Sequence, residues 1–264
     1  PPPPPPPPFF FHAQDANRAA QESRGLGDVY KRQVSDVVKS LPSLQKVVIA
    51  PLLGNKIEFN NDKFMNYNAV QEKYFTQDIF FESLCLDDPL YIMFSSGTTG
   101  KPKCICHRSG GVLLQHLKEH QLHCNIKPKD NVFYFTTCGW MMWNWLITAL
   151  ASKASILLYD GFPMYKSPEL LLNIANKENV TLLGISAKYI DQLIKQKVNI
   201  KKKLKLESLQ TICSTGSPLS SDGFEFVYKN IKKDVHLASI SGGTDIVSCF
   251  VNGNIYSAVN SGEI

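Results

Sequence analysis

Between residues 91 and 103 the chain reads YIMFSSGTTGKPK. An apolar run over residues 90–94 feeds directly into hydroxyl residues, two glycines and two lysines. These are the parts of a phosphate cradle. Glycines let backbone N–H groups approach an anion, hydroxyls add donors, and lysines add positive charge. The spacing is not that of a G-x-x-x-x-G-K-[ST] loop, which finds no match in the chain. Two further segments, STGSPLS over 214–220 and SGGTD over 241–245, place small and hydroxyl residues after apolar runs. Three such loops are far more specific for a nucleotide than one glycine-rich turn.

Loops of this kind need strands to hold them, and the flanking pattern supplies these. From Val34 onward the text is globular. It predicts a short buried strand over 46–50 and a polar loop over 55–67. Strands and helices then alternate: strand 90–94, helix 110–124, strand 131–136, helix 140–152, strand 154–159, helix 168–177, strand 180–185, helix 187–197, strand 209–214, helix 221–229 and strand 235–240. Gly, Pro, Ser and Asp punctuate the joins. This rhythm predicts an α/β fold of parallel-sheet layers with helical crossovers. Ligands of open α/β sheets sit beyond the carboxyl ends of the strands, where all three loops are expected.

The chain has 264 residues, 44% hydrophobic and 19% charged, which suffices for a real core and excludes a disordered polymer. Its net charge of +5 is mild, and much of it lies in one run, KQKVNIKKKLK over 195–205. That run reads as a solvated loop, so no nucleic-acid partner is expected. The seven cysteines are odd in number and irregularly spaced, and no secretory signal is visible, which fits a reducing cytoplasmic compartment. The most apolar stretch, 140–158, is broken by Asn144 and Lys153 and reads as a buried helix and strand rather than a membrane span. Residues 1–33 open with eight prolines and three phenylalanines and end in SRGLGDVYKRQ, which resembles a translated adaptor. They read as a non-native or disordered tail without function, leaving 34–264 as the domain.

The nine-residue run SSGTTGKPK, together with LLQHLKEHQLHC, TTCGWMMWNW, YDGFP, STGSPLS and ISGGTDIVSCF, resembles the acyl-adenylate-forming enzymes, in particular the acetoacetate–CoA ligase branch of the acyl-CoA synthetases. The resemblance runs from about Val34 to Ile264 and implies part of that family's large N-terminal, AMP-binding domain. It implies ATP, Mg²⁺ and coenzyme A as co-reactants, and a two-step reaction. An acid first forms acyl-AMP with loss of pyrophosphate, and the coenzyme A thiol then displaces AMP. By motif position, Ser95, Ser96, Gly97, Thr98, Thr99, Gly100, Lys101 and Lys103 would hold the β- and γ-phosphates. Gly216, Ser217 and Pro218 would lie against adenine. Thr244, beside Ser241, Gly242 and Gly243, would meet the α-phosphate, and Asp245 would help to hold Mg²⁺. Trp140, Met141, Met142, Trp143, Thr215 and Gly242 would line the acyl pocket. Acetyl-CoA synthetases place a tryptophan where Gly242 stands, so the resemblance implies room for a longer acid such as acetoacetate. It also implies that a ribose-binding aspartate, a hinge and a C-terminal lid carrying an adenylation lysine belong to the missing remainder. The chain alone is then expected to turn over negligibly and to expose apolar faces.

Blander readings compete at several points. A WMMWNW stripe is ordinarily core, and Trp145 is best left there. His116, His120 and His123 invite a metal, but HLKEH is not H-E-x-x-H, and Cys104-x-Cys106-His107 is too tight for zinc. Satisfied side chains are expected instead. G-x-S-x-G does not occur, so no Ser–His–acid hydrolase is indicated. The remaining functional alternatives are another short-chain acyl-CoA synthetase and a non-catalytic nucleotide-binding module.

Overall fold

A computed structural model describes residues 26–50, 61–73, 80–95, 100 and 102–264, with backbone only for 26–31. Residues 1–25, and residues 96–99 and 101 of the expected phosphate cradle, lie outside the described residues. The chain divides into two compact units, Pro1–Ser83 and Leu84–Ile264.

In the first unit, helix α1 (Leu26–Ser40) runs through the expected boundary at residue 33, so the helical backbone does not break where the text changes. Strands β1 (Val47–Ile49) and β2 (Phe64–Asn66) pair in parallel, and α2 (Tyr67–Lys73) follows. Two expectations change here. The strand near 46–50 is not buried, since Val48 is 48% exposed on a two-stranded sheet with one open face. The expected loop over 55–67 ends in a strand, because Phe64 and Met65 pair with Val47 and Val48.

The second unit begins with an antiparallel hairpin, β3 (Pro89–Ser95) and β4 (Lys103–Arg108), whose last pair is Ser95 opposite Lys103. The first glycine-rich loop therefore joins two antiparallel strands and does not follow a strand of the parallel sheet. Next come α3 (Ser109–Lys118), extended by a π-helical turn over Glu119–His123, then β5 (Asn131–Tyr134) and α4 (Met142–Thr148) with a 3₁₀ turn over Ala149–Ser152. The order continues β6 (Ser155–Leu157), α5 (Leu170–Lys177), β7 (Leu182–Ser186), α6 (Ala187–Lys195), β8 (Thr211–Thr215), α7 (Ser221–Phe226) and β9 (His236–Ser239). A second hairpin, β10 (Ser241–Gly243) with β11 (Ser248–Val251), stands where the sequence predicts a loop over 241–245.

Strands β6-β5-β7-β8-β9 form one parallel sheet in that order, as the alternating pattern predicts. Both faces of β5, β7, β8 and β9 are buried, whereas the edge strand β6 is only partly covered. Phe133, Leu183, Ile212 and Leu237 face α5, α6 and α7. Their neighbours Val132, Leu182, Cys213 and Ala238 face α3 and α4. Full burial of each such Leu, Ile or Phe contributes about 1.5–3 kcal/mol, so this sheet holds the unit together. Local signals place the helices that follow it. Ser186 caps α6 by accepting from Tyr189 N, and Ser220 caps α7 by accepting from Gly223 N. Tyr134 on β5 sits opposite Gly184 on β7, where a Cβ would lie 2.1 Å from its ring. Gly184 is the space that the ring occupies.

The hairpins are less covered. Ile92 and Phe94 on β3, Leu114 and Leu122 on α3 and its extension, and Phe250 on β11 are each more than half exposed. Open apolar area of this kind drives association. The isolated 264-residue chain is expected to show a concentration-dependent hydrodynamic radius in the micromolar range. A constant monomer over a hundredfold dilution, by light scattering, would contradict this.

Candidate functional site

A cleft of about 320 Å³ opens beyond the carboxyl ends of β8 and β9, beside the start of α4. One wall is Thr215–Pro218, where β8 ends. Gly216 has φ +90°, a left-handed conformation that costs a side-chain-bearing residue and that glycine adopts freely. A second wall is Ile240–Thr244 with Cys249, from the β10–β11 hairpin. The third is Trp140–Met142, at the entry to α4, and Ile264 touches the rim. The lining thus divides between hydroxyl groups and glycines and the apolar side chains of Trp140, Met141, Met142 and Ile240. That division suits a ligand with a polar head and a short apolar body.

A second cleft, about 360 Å³, lies at the amino ends of β7 and β8 between Ala175 and Leu209. It is lined by parts of the 195–205 basic run, and Lys203 there pairs with Glu169. Ligands of parallel sheets bind at the carboxyl ends, which favours the first cleft.

The structure brings together many of the expected residues. Trp140, Met141, Met142, Thr215, Gly216, Ser217, Pro218, Ser241, Gly242, Gly243 and Thr244 all line the first cleft. Trp143 does not line it and is partly buried beside Trp145, which is fully buried core. Asp245 is exposed, one residue past the lining. Ser95, Gly100 and Lys103 lie at the far end of the β3–β4 hairpin and do not line the cleft either. Ser96, Gly97, Thr98, Thr99 and Lys101 are outside the described residues. That hairpin still reaches the site at one point, because His107 Nε2–H donates to the Thr244 carbonyl at 2.9 Å.

Gly242 has a tighter role than the sequence suggests. A Cβ there would lie 2.1 Å from the Ser248 carbonyl oxygen and 2.8 Å from Cys249 Cα. The missing side chain is a requirement of the hairpin itself, since β11 backbone occupies the space.

Beneath the cleft lies a polar layer that the sequence reading missed. Glu119 is 1% exposed and accepts from Trp145 Nε1 at 2.8 Å, Gln115 Nε2 at 2.8 Å, Cys249 N at 3.1 Å, and the Ser248 hydroxyl. His116 Nε2–H donates to the Val247 carbonyl, and its Nδ1 faces Thr148 Oγ1 at 3.0 Å. Burial outweighs the Val247 bond and the Glu119 charge and pushes the His116 pKa down, so the ring is neutral. His123 Nδ1–H donates to the Gly253 carbonyl at 2.9 Å. The spacing 116, 119, 120, 123 was the available signal, because it puts all four side chains on one helical face.

His120 departs from the expected satisfied histidine. It is fully buried, edge-on to Trp145 with ring centroids 4.2 Å apart, and neither ring nitrogen has a partner of good geometry. Burial, with His116 beside it, pushes its pKa down to about 3, and the Trp145 backbone offsets only part of that. No cluster of three metal-ligating side chains occurs among the described residues. Cys104 and Cys106 point outward from β4 while His107 points in, because strand side chains alternate.

A profile of AMP-binding enzymes matches residues 29–260. The chain belongs to the AMP-binding enzyme family. Among relatives, it is 47% identical to the acetoacetyl-CoA synthetase of Gallus gallus over 86% of this chain and 35% of the relative. It is 56% identical to the acetoacetyl-coenzyme A synthetase of Rhizobium meliloti (strain 1021) over 70% of this chain and 29% of the relative. The solved acetoacetyl-CoA synthetase from Streptomyces lividans superposes with a TM-score of 0.76 at 36% identity, over 85% of this chain and 34% of that one. The chain spans about a third of the length of these relatives, and within that third it has the α/β fold of the AMP-binding family. Among the described residues no helix is long and apolar enough to cross a membrane.

Proposed function

We propose that this chain is the nucleotide- and acid-binding part of an acid–thiol ligase that converts acetoacetate to acetoacetyl-CoA through acetoacetyl-AMP. The observation that carries this is the cleft lined together by residues 215–218, 241–244 and 140–142. Its likeness to acetoacetyl-CoA synthetases points the same way.

A carboxylate is a poor electrophile, and adenylation turns one of its oxygens into a leaving group. The acid oxygen attacks the α-phosphorus of ATP and the bond to the bridging oxygen breaks, releasing pyrophosphate. The thiol sulfur of coenzyme A then attacks the acyl carbon, AMP leaves with its electron pair, and the thiol proton passes to solvent. Charge gathers on the departing pyrophosphate, so donors and cations aimed there lower the barrier. Thr98, Thr99, Lys101 and Lys103 are assigned to that charge. Thr244 is assigned to the α-phosphate, and Gly216, Ser217 and Pro218 to adenine. Trp140, Met141 and Met142 would exclude water from the acyl chain. Asp245 fits Mg²⁺ as one exposed hard oxygen ligand beside phosphates, the way this ion is usually held, and not as part of a protein cage. Mg²⁺, when bound, would neutralise phosphate charge. All seven cysteines are free thiols, which supports a reducing, cytosolic setting.

A second reading, a synthetase for another short-chain acid, is favoured by Gly242. Its bareness is already demanded by the hairpin and does not by itself report the length of the acid. Acid-dependent ATP–pyrophosphate exchange, with protein from the complete open reading frame, separates the two. Exchange driven by acetoacetate at least about tenfold better than by acetate is expected, within the range that apolar pockets discriminate. Equal exchange moves the assignment to a general short-chain synthetase. No exchange with either acid, from folded protein that binds ATP, leaves a nucleotide-binding module.

A further inference from the structure

Two walls of the cleft meet below it at a single side chain. The α4 wall ends in Trp145, whose indole N–H donates to Glu119 Oε2. The hairpin wall ends in Ser248 and Cys249, whose hydroxyl and backbone N–H both donate to Glu119 Oε1. We propose that Glu119 is a positioning residue for the cleft, fixing the Trp140–Met142 wall relative to the Gly242–Thr244 wall through the two oxygens of one buried carboxyl group.

The hairpin needs such a restraint. β10 and β11 share three paired positions with an irregularity between Ser241 and Gly242. Their turn runs through Val247, which is buried at φ +50°. A β-branched residue in the left-handed region is strained and persists only where its surroundings hold it. The hold comes from both sides. His107 and the Val247 N–H both donate to the Thr244 carbonyl, His116 donates to the Val247 carbonyl, and Glu119 takes the next two donors. Thr244 and Asp245 sit inside that turn. Among the described residues, α4 is tied to this layer by the indole bond, the Thr148–His116 contact and the edge-on packing of Trp145 on His120. Among the described residues, Cys249 is the cleft-lining residue to which Glu119 is hydrogen-bonded, so Glu119 acts through its neighbours.

The two oxygens can be separated by substitution. In Glu119→Gln the remaining oxygen still accepts from Ser248 and Cys249, while the amide N–H₂ faces the indole N–H, donor against donor. In Glu119→Leu both ties go. A lost hydrogen bond to a charged buried group corresponds to roughly tenfold or more in an opening equilibrium. Amide hydrogen exchange on protein from the complete open reading frame should therefore speed up about tenfold over residues 141–146 in Glu119→Gln, with residues 245–251 unchanged. In Glu119→Leu both segments should speed up. Acid-dependent pyrophosphate exchange should show the same split. Glu119→Gln raises KM for the acid about tenfold and leaves KM for ATP within about twofold, because the hydrogen bonds of the Glu119 carboxyl group run to Gln115, Trp145, Ser248 and Cys249 and not to the Thr215–Pro218 wall.

The KM measurement rests on the adenylation function proposed above; amide exchange does not need it. Wild-type protein without acid-dependent exchange would sink that function and leave Glu119 to be judged by the two exchange segments. Uniform acceleration across the domain, no acceleration in either segment, or a fall in kcat matching lost folded protein with both KM values unchanged would each overturn the positioning role. Should Glu119→Leu fail to fold, the segment pattern in Glu119→Gln still decides.

Discussion

Replacing Gly242 by alanine is expected to lower pyrophosphate exchange with acetoacetate and with acetate alike, by about a hundredfold or more. A methyl group at this position cannot avoid the Ser248 carbonyl oxygen 2.1 Å away, because that oxygen is backbone and β11 is its own pairing partner. Overpacking against a rigid neighbour costs about 1–3 kcal/mol, and the hairpin relieves it by moving. The moving strand carries Gly243 and Thr244 into the cleft wall. Displacing a positioning element by about 1 Å costs about a hundredfold in rate, whichever acid is bound. A pure size gate behaves differently. Filling an otherwise open pocket would spare acetate and penalise acetoacetate by about 10–200-fold. Kinetics with both acids on Gly242→Ala separate the two, and retention of acetate turnover would show that the glycine is a gate. Gly242→Trp is expected to be no better with acetate, since an indole at this backbone position meets the same strand.

Acid should unfold the Leu84–Ile264 unit in a range set by its buried histidines. His120 has a folded pKa of about 3, against about 6.5 when unfolded. Above pH 6.5 the ring is neutral in both states and stability is complete. As the pH falls below 6.5 the unfolded chain takes up a proton that the folded chain refuses, so stability is lost steadily down to about pH 3. The full loss is on the order of 3–5 kcal/mol, a large share of the roughly 5–15 kcal/mol that holds a domain folded. His116 and His236 have pKa values lowered in the same direction, chiefly by burial, and add to the slope. Urea denaturation at pH 7.5, 6, 5 and 4.5 should show the midpoint falling. His120→Leu should flatten that slope and hold or raise stability at pH 7.5, because it removes a buried ring whose nitrogens have no hydrogen-bond partner of good geometry. An equal slope in the variant would assign the acid sensitivity elsewhere.

Much of the fold was readable in the chain because its cause is local. Strand 182–186 is buried on both faces and appears as a largely apolar run, and helices such as Ala187–Lys195 start at a serine that caps them. What escaped were elements whose identity depends on a distant partner. Lys103–Arg108 turns Cys104, Cys106 and Arg108 to its exposed face and becomes a strand only by pairing with Pro89–Ser95. Phe64–Asn66 needs Val47–Ile49, and Ser241–Gly243 needs Ser248–Val251. The cleft residues Thr215–Pro218 and Ser241–Thr244 were legible because hydroxyl groups and glycines after strands have few other uses.

The sequence by itself determined the family and the chemistry its loops can offer, since residue type and short-range spacing carry that information. Only the tertiary structure decided which of those residues face one cleft, why Gly242 is bare, and that a glutamate 129 residues from Ser248 and 26 from Trp145 ties two cleft walls together. Such contacts leave no local pattern. Burying Glu119 is tolerable only where four donors converge, and a linear chain does not show which parts of itself will meet.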